Sequence, residues 1–390
     1  MRYAVALLCA LSSLAFTQDA TPKSNAAPGT AVEVLYVTDA TNLYTYDIDP
    51  QTFQPSLVGT SPLPKPQVNG LAVSSDGRFL YLMAVDLYPA TDNRIYVYDT
   101  GANGVAGSPV QSIPATNESS MFVDPNNSFL YAVHMGTHST RVLTLPWSIV
   151  RYQVNSANGE LTNLLTEATY PLPDQGTNFC GLSILGMNDS ATELYDYESC
   201  GTHEGANGFY HERTVDPTTG TLGAPYQIFS WGTDTDAFPN SVQIIHGLLF
   251  EFTSPIAYQP YNETQVYPVR TDRSVHPLIT CSWTTSTTCG SDSGMAHPSA
   301  KYVFYTNPSD YATEVAAVDQ TSKQIVPTGT AFSTPALYFL KFNPDGSIVY
   351  SWDGPGTVSI FGFNVSNAAI TLGGTVTESS ITSILPAERQ

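Results

Sequence analysis

One repeating pattern constrains the fold of this chain more than any other feature. A short apolar strand leads into a tight turn and a second strand ending in Tyr or Phe; a variable loop, a third strand rich in Val and Tyr, and a looser fourth follow. The clearest copy runs Asn69-Gly70-Leu71-Ala72-Val73, turn Ser75-Asp76-Gly77, Phe79-Leu80-Tyr81-Leu82, a loop, then Ile95-Tyr96-Val97-Tyr98-Asp99. The last runs Tyr338-Phe339-Leu340-Lys341-Phe342, turn Asn343-Pro344-Asp345-Gly346, Ile348-Val349-Tyr350, a loop, then Val358 to Phe363. Asp-Gly turns suit tight hairpins, and alternating strands make two-faced sheets. A sheet of this kind cannot cover its own apolar faces, so the copies must stack on one another.

Four more copies lie between these two. Their first strands begin near Ser119, Phe179, Asn240 and Gly294, and their second strands contain Phe129-Leu130-Tyr131, Glu193-Leu194-Tyr195, Leu249-Phe250-Glu251 and Tyr302-Val303-Phe304. The pattern starts in mid-unit, with Val32 to Val37 reading as a second strand and Leu43 to Ile48 as a third. The missing first strand is found at the far end, as Ile381-Thr382-Ser383-Ile384-Leu385. A ring closed by that C-terminal strand accounts for both facts and removes the open sheet edges. The expected fold is all-β: a seven-bladed β-propeller of four-stranded antiparallel blades over residues 32–386, with six or eight blades as alternatives because the fourth and fifth copies are irregular.

Composition agrees. Tyr (23), Phe (17), Gly (28) and Pro (28) suit half-buried strands and many turns, and no long Ala/Glu/Lys/Leu stretch offers a helix. The formal charge of −20, from 14 basic and 34 acidic residues, excludes polyanion binding through a basic surface and disfavours anionic membranes. Arg2 followed by the apolar run Ala4 to Phe16 reads as a signal peptide over residues 1–17, too short to span a bilayer. Residues 18–31 read as a disordered lead-in. The expected location is secreted or periplasmic, without membrane insertion, and the expected state a monomer. Four cysteines remain after cleavage. Cys180 and Cys200 are nearly symmetric about a turn at Asn188-Asp189-Ser190, and Cys281 and Cys289 close a short loop, so the favoured pairings are Cys180–Cys200 and Cys281–Cys289. Sequons begin at Asn117, Asn126, Asn188, Asn262 and Asn364.

The wording of the repeat resembles the YVTN-type propellers, and among them the lactonase family that includes 6-phosphogluconolactonase-like enzymes. Leu35-Tyr36-Val37-Thr38-Asp39, Val73-Ser74-Ser75-Asp76-Gly77-Arg78-Phe79-Leu80-Tyr81 and Phe342-Asn343-Pro344-Asp345-Gly346 carry the resemblance. It implies Pro-His at the start of one inner strand and Gly-Pro-Arg-His at another. The chain departs from both, with Pro239-Asn240-Ser241-Val242 and Thr334-Pro335-Ala336-Leu337.

In such a ring the entries to the inner strands and the second-to-third-strand loops gather at one mouth, where ligands bind. The loops are expected at Ala84 to Asn93, His134 to Trp147, Ser199 to Gly208, Thr253 to Asn262, Asn307 to Ala312 and Asp353 to Gly356. Candidate catalytic residues are His134, His203, Glu204, His211, Glu212 and Arg213: imidazole beside a carboxylate supplies a general base, and Arg holds an oxyanion. His134, His203 and Glu204 are an alternative metal set, although no metal or other cofactor is expected. His138 and Arg141 share the first histidine's loop, and Asn69, Glu118, Asn178, Asn240 and Asp292 ring the inner-strand entries as candidate ligand-binding residues. Two functions follow. One is a secreted propeller that holds a small molecule or an extracellular partner without catalysis; the other is a lactonase-like hydrolase or a related cyclase.

Overall fold

The computed structural model describes residues 32–389, apart from 86–91, 102–103, 116–117, 135–137, 140–141, 144–146, 170–178, 189, 203–204, 232–236, 256–262, 269–278, 283–293, 307–311, 334–338 and 353–355. The described strands form seven four-stranded antiparallel sheets and one two-stranded hairpin. Blade 1 carries Val32–Thr38, Asn42–Ile48 and Pro55–Pro62, with Ser383–Arg389 as its inner strand. Each later blade is built from consecutive strands beginning at Gln67, Glu118, Phe179, Ala237, Gly294 and Phe339.

The ring closes as the repeat requires. The C-terminal strand pairs antiparallel with the first strand from Val32↔Arg389 to Thr38↔Ser383. It is displaced from the expected Ile381–Leu385 and runs three residues past the expected boundary at 386. The cause is local: the Thr382 backbone N–H donates to the Thr38 carbonyl at 2.7 Å, which ends the approach and starts the ladder one residue later.

Strand alternation explains the packing. Val34 and Tyr36 face blade 2, while Leu35 and Val37, one residue out of phase, face the last blade. Every neighbouring pair of blades shares one apolar cluster, and the last of these joins blade 7 to blade 1. Second-strand tyrosines latch adjacent blades. The hydroxyls of Tyr36, Tyr81 and Tyr131 donate to the carbonyls of Gly104 (2.8 Å), Gly159 (3.2 Å) and Gly220 (2.7 Å), each in a turn of the following blade. Each net hydrogen bond of this kind contributes about 1 kcal/mol.

The turns between first and second strands share one device. A side-chain acceptor at the turn's start takes the N–H that opens the second strand: Ser74 from Phe79 (2.9 Å), Asp124 from Phe129 (2.6 Å), Asn188 from Glu193 (3.1 Å) and Asn343 from Ile348 (2.8 Å). These Asx-type caps make one end of the ring short and self-satisfied. Parts of several expected loops are ordered strand. Blade 4's second and third strands run to Thr202 and from Gly205, so Ser199 to Thr202 and Gly205 to Gly208 of the expected loop are strand. Within His134 to Trp147, His138–Ser139 pairs with Val142–Leu143.

Candidate functional site at the channel mouth

Antiparallel pairing reverses the chain at every strand. All second-to-third-strand connections therefore lie at one end of the ring, with the crossings between blades. His203, Glu204, Arg141, Asn178, Asp292 and Cys289 lie outside the described residues. Glu118, His138, Asn240, Cys180, Cys200 and Cys281 are placed by strand register.

Blade 3 brings two of the expected residues together and adds a third. Glu118 on the inner strand is the register partner of His134, and His134 is the partner of Ser148 on the third strand. The three positions form a single row at the mouth end of the sheet, and directly opposed positions place their Cβ atoms about 5 Å apart. His134 is half-buried and Ser148 buried. Residue types able to move a proton thus occupy one register row. Sequence reasoning missed Ser148 because the preceding loop was expected to end at Trp147, and nothing in the local wording marks the hydroxyl.

The inner strands also bulge near the mouth. Register shifts fall between Val68 and Gly70, Ser119 and Met121, and Pro239 and Ser241, so Asn69, Ser120 and Asn240 are the extra residues. Bulges re-aim a side chain away from the regular alternation. Asn69 is half-buried and accepts a hydrogen bond from Gln67 Nε2 at 3.3 Å.

The remaining described members of the expected catalytic set behave differently. His211 and Arg213 converge on Asp196, a fully buried carboxylate on the facing strand: His211 Nδ1 lies 3.0 Å from Oδ1, and Arg213 Nε donates to Oδ2 at 2.7 Å. A carboxylate so enclosed is stable only with its charge compensated, and the guanidinium supplies that. Glu212 sits on the opposite face by alternation, its register partners being Tyr195 and Tyr226. The trio lies in the half of the blade away from the mouth, beside Glu198, whose carboxyl burial pushes above its usual range.

Lys341, on the inner strand of blade 7, was also missed. It is buried, donates to the Ile384 carbonyl at 2.6 Å across the closing seam, and burial pulls its ammonium down to about 8. In the cysteine region, Cys180 and Cys200 are direct register partners on adjacent strands.

No protein-family model matches this chain, and no curated protein sequence does. Solved structures match over nearly the whole fold. A candidate 6-phosphogluconolactonase from Bacteroides fragilis superposes with a TM-score of 0.63 at 11% identity, covering 93% of this chain and 99% of its own. A second, from Bacteroides uniformis, gives 0.62 at 12% identity, with 91% and 99% covered. The periplasmic gluconolactonase of Pseudomonas aeruginosa gives 0.61 at 12% identity, with 92% and 99% covered. The chain thus has the fold of lactonase-like β-propellers.

Proposed function

We propose that this protein is an exported propeller that opens cyclic esters at its channel mouth, with His134 as general base and Glu118 orienting it. The observation that carries this reading is the cross-strand row Glu118–His134–Ser148. The folds of the candidate 6-phosphogluconolactonases and of the periplasmic gluconolactonase support it. In the reaction, His134 takes a proton from water as the oxygen attacks the ester carbonyl. The imidazolium then returns that proton to the departing ring oxygen, giving a hydroxy acid. Ser148 at the end of the row holds the water or the substrate carbonyl. A net charge of −20 favours a neutral lactone over a phosphorylated one and helps expel the anionic product.

A non-catalytic binding face is the second reading, favoured by the bulged amides Asn69 and Asn240, which suit sugar hydroxyls. A pH-stat screen of γ- and δ-lactones separates the two. The expected result is turnover by the full chain that falls about 10²–10⁴-fold in His134→Asn, with Glu118→Gln lowering kcat more than it raises KM. Saturable sugar binding by calorimetry without turnover would overturn the catalytic reading in favour of the second.

A further inference from the structure

At the end of the ring opposite the mouth, three carboxylates meet across the closing seam. Glu33 is on the first strand, Glu388 on the closing strand paired to it, and Asp345 in the first turn of blade 7. One oxygen from each lies within 4.8 Å of the others. Glu33 is only 7% exposed. Its Oε1 accepts from Asn343 Nδ2 at 2.6 Å, while no donor reaches its Oε2 among the described residues. The same Asn343 amide donates to Asp345 Oδ1 at 2.8 Å, and Asp345 Oδ1 also accepts from the Ser347 N–H at 2.7 Å.

This is more than an acidic patch. A buried carboxylate oxygen without a donor is costly, and here the group facing it is a further carboxyl. Three carboxyls so placed need either a shared proton or a cation among them. No Lys, Arg or His pairs with Glu33, Asp345 or Glu388 among the described ion pairs. The donors are all hard oxygens, the preference of Ca²⁺ rather than of a softer metal. Opposite ligands in a Ca²⁺ shell are about 4.8 Å apart, twice an ordinary Ca–O distance of about 2.4 Å, and the three oxygens lie within that span.

We propose that Glu33, Asp345 and Glu388 form a Ca²⁺ site that staples the last blade to the first. The ion replaces the missing donor at Glu33 Oε2 and neutralises the convergence of charge, with water completing the shell. Because two ligands come from the N- and C-terminal strands of the closed sheet and one from blade 7, the ion binds the closed ring and not the open chain.

The test uses the full chain stripped with chelator and dialysed. CaCl₂ is titrated against matched NaCl and MgCl₂ while thermal unfolding is followed, and stoichiometry is read by calorimetry. Expected are one Ca²⁺ per chain and a saturable rise in Tm of about 2–4 °C that NaCl does not reproduce. Glu33→Gln should weaken binding at least about tenfold, as should Asp345→Asn, which keeps the turn's oxygen acceptor and folds even where the buried substitution does not. Absence of Ca²⁺ binding at millimolar concentration in the wild-type chain would overturn the proposal, and so would undiminished binding by both variants. A chelator-treated Glu33→Gln protein more stable than a Ca²⁺-indifferent wild type would show instead a carboxyl pair sharing a proton.

Discussion

Acid should loosen the seam between blades 6 and 7 through one residue, His297. Its side chain is fully buried, and its ring packs with centroids 5.1 Å from Phe342 and 4.9 Å from Phe363. Nε2 lies 2.9 Å from the Gly346 carbonyl, which only accepts, so Nε2 carries the proton. Nδ1 is then the acceptor for the Ser299 N–H at 3.0 Å and for the Ser299 hydroxyl at 2.8 Å. A second proton at Nδ1 would turn it against the Ser299 N–H. Burial lowers the imidazole from 6.5 to about 4, a trend that the Gly346 hydrogen bond and the Asp345 charge only partly oppose. The folded state therefore disfavours the proton that the unfolded chain accepts. Stability from this group is complete above about pH 6.5 and is lost as pH falls towards 4. A difference of about 2.5 pKa units at 1.36 kcal/mol each gives about 3 kcal/mol. Carboxylates titrate in the same range, so the measurement is a difference. Denaturant unfolding of the wild type and of His297→Gln is compared from neutral pH to about pH 4. Glutamine keeps a donor towards Gly346 and cannot take up a proton. The variant should be the less stable at neutral pH, and the gap should close by about 3 kcal/mol on acidification. A gap that stays constant with pH would refute the assignment of the acid limb to this histidine.

Two further outcomes follow from the fold. Gly159 has φ +73°, and an added Cβ would lie 2.4 Å from the buried Phe79 ring, so Gly159→Ala should cost about 2–4 kcal/mol; Gly329, at φ +77° with open space around it, should cost only about 1 kcal/mol. Equal costs by chemical denaturation would show that backbone strain alone matters. Cys180 and Cys200 face each other in register at a separation that antiparallel strands set at about 4.5–5.5 Å, inside the disulfide range, so non-reducing peptide mapping should recover them as one linked pair; recovery of Cys180 joined to Cys281 or Cys289 would exclude this pairing.

The blades were legible because each repeats the same local instruction. Asp76-Gly77 and Asp345-Gly346 mark turns, and the Tyr or Phe that follows marks the buried face of a second strand, so the wording alone places Tyr81, Tyr131 and Tyr350 in the core. Ring closure was legible from a missing strand. Side-chain partnerships were not, because they are set by strand register and by contacts between blades. His211 and Arg213 stand out in the sequence, but their shared partner Asp196, fifteen residues before His211, emerges only once the facing strand is paired. Glu118, His134 and Ser148 are separated by loops whose lengths say nothing of register, and only the pairing puts them in one row. Glu33 and Asn343 are 310 positions apart, and no local pattern connects them before the ring is closed.

The two ends of the ring are built for different tasks. At one end the turns are short and capped by their own side chains, from Ser74 through Asp124 and Asn188 to Asn343. At the other end the inner strands bulge at Asn69 and Asn240, the arrangement in which a rigid scaffold carries variable chemistry. The carboxylate cluster belongs to the rigid end and the Glu118–His134–Ser148 row to the variable one. Loss of a cation at Glu33 should therefore lower the temperature at which activity collapses while leaving kcat and KM below that temperature unchanged. Substitution of His134 should do the reverse, lowering kcat without moving Tm. If chelation and His134→Asn moved the same parameter, the two ends would be coupled, and the division between a closing seam and a reacting mouth would fail.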